Sequence, residues 1–179
     1  MRRSRRRLCA VAPESGLRRY EYCVDHVGQV HLESTKYKTV ATAYRDPKFL
    51  DTLYRGLRKG QKEWISICAG EVNVVSLDQD IDFEGIVVFH SLVDDELRYA
   101  GTLAEAFRPE SLRFSEGTGL FFHPLSTKKK RLGDFGLVGS HVAHQLAPSL
   151  HFLPPPDEAE ETTVVELSHN GRRHRLLAI

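Results

Sequence analysis

The chain has 179 residues, 41% hydrophobic and 27% charged: enough for one domain, or two small ones sharing a sheet, and too apolar for a disordered chain. No window approaches 18 consecutive apolar residues, so no membrane span is expected. The three cysteines, Cys9, Cys23 and Cys68, are odd in number, widely spaced and without a CxxC pair; this argues against a disulfide scaffold or zinc ribbon and for a reducing compartment.

The net charge of +1 hides an asymmetry. Residues 1–7 hold five arginines (Arg2, Arg3, Arg5, Arg6, Arg7) and no acid precedes Glu14, so the rest of the chain carries −4. An Arg-rich, acid-poor N-terminus has the composition of a mitochondrial transit peptide. The rivals are a retained basic arm that neutralises phosphates, or a solvated tail.

Tyr20, Tyr22 and Val24 alternate with polar residues, and Val30 and Leu32 resume the alternation, with His31 and Glu33 on the polar face. Between them Asp25-His26-Val27-Gly28 suits a turn capped by the Asp25 carboxylate and closed by a left-handed glycine. A metal held by Asp25, His26 and His31 is the competing reading, but that spacing does not make the side chains converge. A helix is expected next, capped by Asp46, with Pro47 first, an apolar face of Phe49, Leu50, Leu53 and Leu57, and Gly60 as its stop. Lys48, Arg55, Arg58 and Lys59 make its outer side basic.

WISIC (64–68) and EVNVVSL (71–77), split by Ala69-Gly70, read as strands. GIVVFHSLV (85–93) reads as a central strand, and ELRYAG (96–101) returns after Asp94-Asp95. One helical turn after Pro109, a short strand over 120–125 and a basic loop over 126–134 follow. A helix is expected over 136–150, with Leu137, Val138, Val142 and Leu146 on one face and Pro148 at its end. LPPPDEAEE (153–161) reads as a linker, and His169-Asn170-Gly171 as the turn of a C-terminal hairpin.

The chemical motifs are sparse. Asp134-Phe135-Gly136 spells the kinase DFG, but no Gly-rich loop, strand lysine or HRD segment accompanies it. Its aspartate reads instead as the cap of the following helix. His141 and His144 share a helix face without the glutamate and four-residue spacing of HExxH. With His123, Glu71 and Asn73 they form the candidate pocket set. Lys128, Lys129, Lys130 and Arg131, then Arg172, Arg173 and Arg175 with His174 between them, are two compact basic clusters. Together with the N-terminal arginines, on one face, they would make a footprint for RNA or anionic lipid.

RRYEYCVDHVGQVHLES (18–34), TKYKT (35–39) and RDPKFLDTLYRGLR (45–58) resemble the opening of the uncharacterised family UPF 0598, small proteins of animals and other eukaryotes mostly considered mitochondrial. GIVVFHSL, LRYAG, FRPESLRF, LFFHPL, FGLVGSHVAHQL and NGRRHRLL continue the likeness in order, so that it covers roughly residues 18–178. Where that family carries CGRERNF, this chain has CAGEVNV: Cys68, Glu71 and Asn73 match and both arginines are gone. The resemblance implies a mitochondrial compartment and no established activity, substrate or cofactor.

The expected fold is α+β: mainly antiparallel sheets in a meander or half-barrel arrangement, with two principal helices and a C-terminal hairpin. The expected organisation is a basic segment 1–17, an α+β domain 18–152, a Pro/acidic linker 153–161 and a hairpin 162–179 packing on the domain. The expected function is that of a non-enzymatic accessory or assembly protein of the mitochondrial matrix. Its partner would be a larger complex, a ribonucleoprotein such as the mitochondrial ribosome, with RNA contact and no cofactor. The alternatives are a small enzyme built on His123, His141 and His144 with Asp134 or Glu71, and a barrel that binds a small molecule or lipid.

Overall fold

The computed structural model describes residues 16–60, 63–79, 81, 83–153 and 164–179. The N-terminal arginines and the linker from residue 154 onward lie outside the described residues. The architecture is α+β, with four open sheets and no closed barrel among the described residues.

The first sheet begins with β1 (Arg18–Val24) and β2 (Val30–Leu32), an antiparallel hairpin. Its turn forms as the sequence predicts. Asp25 Oδ1 accepts from the amides of Val27 (3.0 Å) and Gln29 (2.8 Å), and Gly28 takes a left-handed φ of +88°. Helix α1 (Pro47–Gly56) follows, with Asp46 Oδ1 accepting from the Lys48 and Phe49 amides and Leu50, Leu53 and Tyr54 facing the core. The helix closes at Leu57, three residues before the expected stop at Gly60, because β3 (Arg58–Lys59) starts at once and pairs with β4 (Trp64–Cys68). β5 (Glu71–Leu77) returns from β4 through Ala69-Gly70, both at positive φ.

The simple meander does not hold here. β1 lies parallel to β5, from Arg18 opposite Glu71 to Val24 opposite Leu77. The strand order is therefore β2-β1-β5-β4-β3, with α1 in the crossover that a parallel pair requires.

The apolar run 85–93 is not one central strand. It breaks at His90 into β6 (Val88–Phe89) and β7 (Ser91–Val93), which belong to different sheets. β7, β8 (Glu96–Tyr99) and β9 (Leu103–Ala106) form an antiparallel meander, turning at Asp94-Asp95 as expected. A 3₁₀ turn at Pro109–Ser111 leads to β10 (Arg113–Phe114) and β11 (Phe121–Pro124), and a second 3₁₀ helix spans Thr127–Leu132.

β12 (Phe135–Val138) occupies the start of the predicted second helix. Leu137 pairs with Phe122 of β11 on one side and Val88 of β6 on the other, and Val138 pairs with Phe89 of β6, so two ladders compete against helical propensity and win. Gly136 makes this possible: a Cβ there would stand 2.5 Å from the Phe89 ring. Helix α2 (Ser140–Leu146) is correspondingly short, and its N-cap is Gly139 rather than Asp134. Pro148 falls in the 3₁₀ turn Ala147–Ser149. β13 (Leu150–Leu153), not anticipated, pairs with β14 (Val164–His169), which pairs with β15 (Arg172–Arg175) across an Asn170-Gly171 turn at positive φ. β16 (Leu177–Ala178) joins the second sheet beside β10, giving the order β16-β10-β11-β12-β6. One apolar core runs through these layers, from Val24 and Leu53 through Ile86 and Phe89 to Leu112, Val142 and Leu167.

Candidate functional site: a basic cleft with aromatic walls

The cluster 128–131 is not four equivalent cations. Lys129 turns inward, where its Nζ lies 3.0 Å from Glu105 Oε2, donates to the Ala104 carbonyl and sits 5.5 Å from the centre of the Tyr99 ring. Glu105 is 7% exposed, so this pair docks the 3₁₀ helix on β9 and leaves Lys129 little charge to offer a partner. Burial, followed by the Glu105 charge, pushes the Tyr99 hydroxyl up to about 12.

Arg131 has a structural duty as well. Its Nη1 donates to the carbonyls of Leu57 (3.1 Å) and Tyr54 (3.4 Å) at the end of α1. Arg58 Nη1 donates to the Leu57 carbonyl too, at 2.9 Å. Two guanidinium groups thus satisfy the Leu57 carbonyl, which the helix leaves unpaired, and complement the helix dipole. The consequence is a face. The basic end of α1 and β3 (Arg55, Arg58, Lys59) is brought against Lys128, Lys130 and Arg131 from the far half of the chain. Among the described residues the Lys130 ammonium pairs with Asp134 alone, at 3.7 Å, with both side chains mostly in solvent.

A cleft of about 540 Å³ opens on this face. Lys59, Lys130 and Arg131 stand on its rim with Glu84 and Asp134. Trp64 and Phe122 are buried in its wall, and Phe83 and Phe135 are half-buried there. Phe83 and Phe122 pack with ring centres 5.2 Å apart, and the Lys59 ammonium lies 5.7 Å from the centre of the Trp64 ring. Ser115 and Thr118 add hydroxyls. Three cations and two carboxylates at the mouth, aromatic surface inside and two hydroxyls are the groups this cleft offers to a ligand. Asp134 and Phe135 of the DFG tripeptide belong to this cleft, and not to a helix cap.

Arg172, Arg173 and Arg175 lie exposed on β15, with Arg173 3.7 Å from Glu166. The pocket set does not assemble. His123 has no exposed surface; its Nε2 accepts from the Arg108 amide at 3.0 Å while Nδ1 is buried without a partner among the described residues. Burial, helped by the Arg108 charge, lowers its pKa to about 4. His141 and His144 sit on the exposed side of α2, and His141 shares a 310 Å³ depression with His90. Asn73 stays between strands: its Nδ2 lies 3.3 Å from the Ser66 carbonyl and 3.3 Å from Cys68 Sγ. Its Oδ1 and Ser66 Oγ, on directly paired residues, are buried without partners among the described residues. Glu71, at the start of β5, raises the Tyr22 pKa together with the larger effects of burial and Tyr44.

His31 is 1% exposed, against the expectation of a polar face. The segment that returns to bridge Val30 with Tyr44 covers it, and Asp25 Oδ2 stands 3.3 Å from its Nε2. His26 is exposed on the turn, so the three residues do not converge as a metal set. Among the described residues no group of three or more histidine, cysteine, aspartate or glutamate side chains is arranged to hold a metal.

The cleft itself was not anticipated from the sequence, because its lining is scattered from Lys59 and Trp64 through Phe83, Ser115 and Phe122 to Lys130, Phe135 and Ile179. The only signal was the basic run at 128–131. No solved structure matches the chain. A family model matches residues 10–178, nearly all of it, in keeping with the likeness to an uncharacterised family. The chain belongs to the family described as a domain of unknown function, DUF4505.

Proposed function

We propose that this protein is a non-enzymatic accessory or assembly factor of the mitochondrial matrix that engages a ribonucleoprotein, such as the mitochondrial ribosome, through its basic face. The observation that carries the reading is the packing of the 3₁₀ helix Thr127–Leu132 against α1 and β3 through Arg131. It sets Lys130 and Arg131 beside Lys59 of β3, so that cations from two distant segments line one cleft, with Arg58 and Lys128 exposed close to them in sequence. Such clustering concentrates positive potential where a phosphate backbone or acidic surface would dock. The Arg-rich N-terminus supports the compartment. The histidine-enzyme alternative loses its basis, since His123 is sealed in the core while His141 and His144 face solvent on α2. The small-molecule alternative keeps one: the aromatic wall of the cleft.

The test is a gentle purification of the tagged protein from mitochondria, with partners and the intact mass of the mature chain determined together. Ribosomal RNA and proteins should co-purify at low salt and leave between roughly 50 and 200 mM salt, as counterion release requires. A protein found outside the matrix, or recovered alone at low salt, would refute the proposal.

A further inference from the structure

We propose that the 540 Å³ cleft binds a nucleoside phosphate unit, either a free nucleotide or an unpaired residue of an RNA strand. This rests on the reading of the basic face as an anion-binding surface and names what enters it.

Three kinds of group meet in the cleft, and a nucleotide uses all three. Phe83 and Phe135 are half-buried and present aromatic surface beside buried Trp64 and Phe122, as a base needs for stacking. Lys59, Lys130 and Arg131 supply cations at the mouth for a phosphate, and a guanidinium grips phosphate oxygens in pairs. The Lys130–Asp134 contact is long and solvent-exposed, so a phosphate can displace it at little cost. Glu84, Asp134, Ser115 and Thr118 provide acceptors and hydroxyls for ribose hydroxyls and exocyclic amines. Two carboxylates give nothing to an alkyl chain. Opposite an amino group or a ribose they are useful. The volume falls within the roughly 300–1,000 Å³ of small-molecule sites.

Trp64 is the single tryptophan of the chain and lines this cleft, so its fluorescence reports on the site. The full-length protein is titrated with AMP, UMP, inorganic phosphate and a short single-stranded oligoribonucleotide, and calorimetry repeats each titration. Base-bearing ligands should quench Trp64 saturably and inorganic phosphate should not. The exposed double variant Lys59→Gln/Lys130→Gln should weaken binding by roughly tenfold while leaving the circular dichroism and thermal midpoint unchanged. Response to both free nucleotides and the oligonucleotide assigns a free-nucleotide site; response to the oligonucleotide alone assigns an unpaired RNA residue. Either supports the inference. Absence of binding at millimolar ligand, or competition by inorganic phosphate as strong as by AMP, overturns it. Salt-sensitive co-purification with an assembly is scored separately, so the assembly reading can stand when this one fails.

Discussion

Arg131 Nη1 donates to the Leu57 carbonyl at 3.1 Å, so the C-terminus of α1 is closed by a side chain from the other half of the chain. The same group forms part of the cleft rim, which ties the basic face to the folding of the helix beneath it. Replacing Arg131 by alanine should cost about 1–2 kcal/mol. Arg131→Lys should recover part of that, because lysine keeps the charge but not the fork of donors. Urea midpoints of the three proteins check this, and equal midpoints would contradict it.

Asp51 fastens α1 to the β8–β9 turn. Its Oδ1 accepts from the amides of Gly101 (3.1 Å) and Thr102 (2.7 Å), and the Thr102 hydroxyl donates to Oδ2. Burial alone would raise its pKa, yet the hydrogen bonds from Thr102 and Gly101 prevail and lower it from the ordinary 3.8. The stability it contributes is therefore complete above that ordinary value and lost as the pH falls through the lowered one. Asp51→Ala should destabilise by about 1–2 kcal/mol at neutral pH and flatten the acid limb of a thermal-midpoint profile. An unchanged acid limb would count against this role.

His123 predicts a second pH effect of the same sign at higher pH. Its pKa falls from 6.5 to about 4 on folding, so between those values the unfolded chain binds a proton that the folded one refuses. Stability is complete above pH 6.5 and declines toward pH 4 by up to about 3 kcal/mol. Denaturation at stepped pH, with NMR titration of the His123 ring, checks it. A ring that titrates near 6.5 in the folded protein would contradict it.

The Lys129–Glu105 pair should behave as a buried pair. Lys129→Met leaves the Glu105 carboxylate unpaired and should cost about 2–4 kcal/mol, while Lys129→Met/Glu105→Leu should recover most of the loss. Because Lys129 faces inward, Lys129→Met/Glu105→Leu should also bind RNA nearly as well as the natural protein. A large binding loss in that refolded double variant would place Lys129 among the partner contacts.

The features legible in the sequence are those with local causes. Asp46-Pro47, Asp25 with Gly28, and Asn170-Gly171 each satisfy or reshape backbone within a few residues, and each forms as expected. Features set by distant neighbours were hidden. Residues 136–138 are an apolar run too short for periodicity to separate strand from helix, and β6 and β11 decide the matter. His31 looks polar-facing until the chain at Thr42–Tyr44 returns to cover it. The parallel pairing of β1 with β5 has no local signature at all. Within the candidate site, the run Lys128–Arg131 reads as four like charges. Only the fold separates the inward Lys129 and the helix-capping Arg131 from the freer Lys128 and Lys130.

The most direct test of the basic face is the salt dependence of RNA binding by the natural protein and by Lys59→Gln/Lys128→Gln/Lys130→Gln. If these side chains contact phosphates, the plot of log K against log salt for a single-stranded RNA should lose about 2 units of slope in the triple variant, at roughly 0.7 per contact. Equal slopes for the two proteins, or no salt dependence in either, would contradict the account.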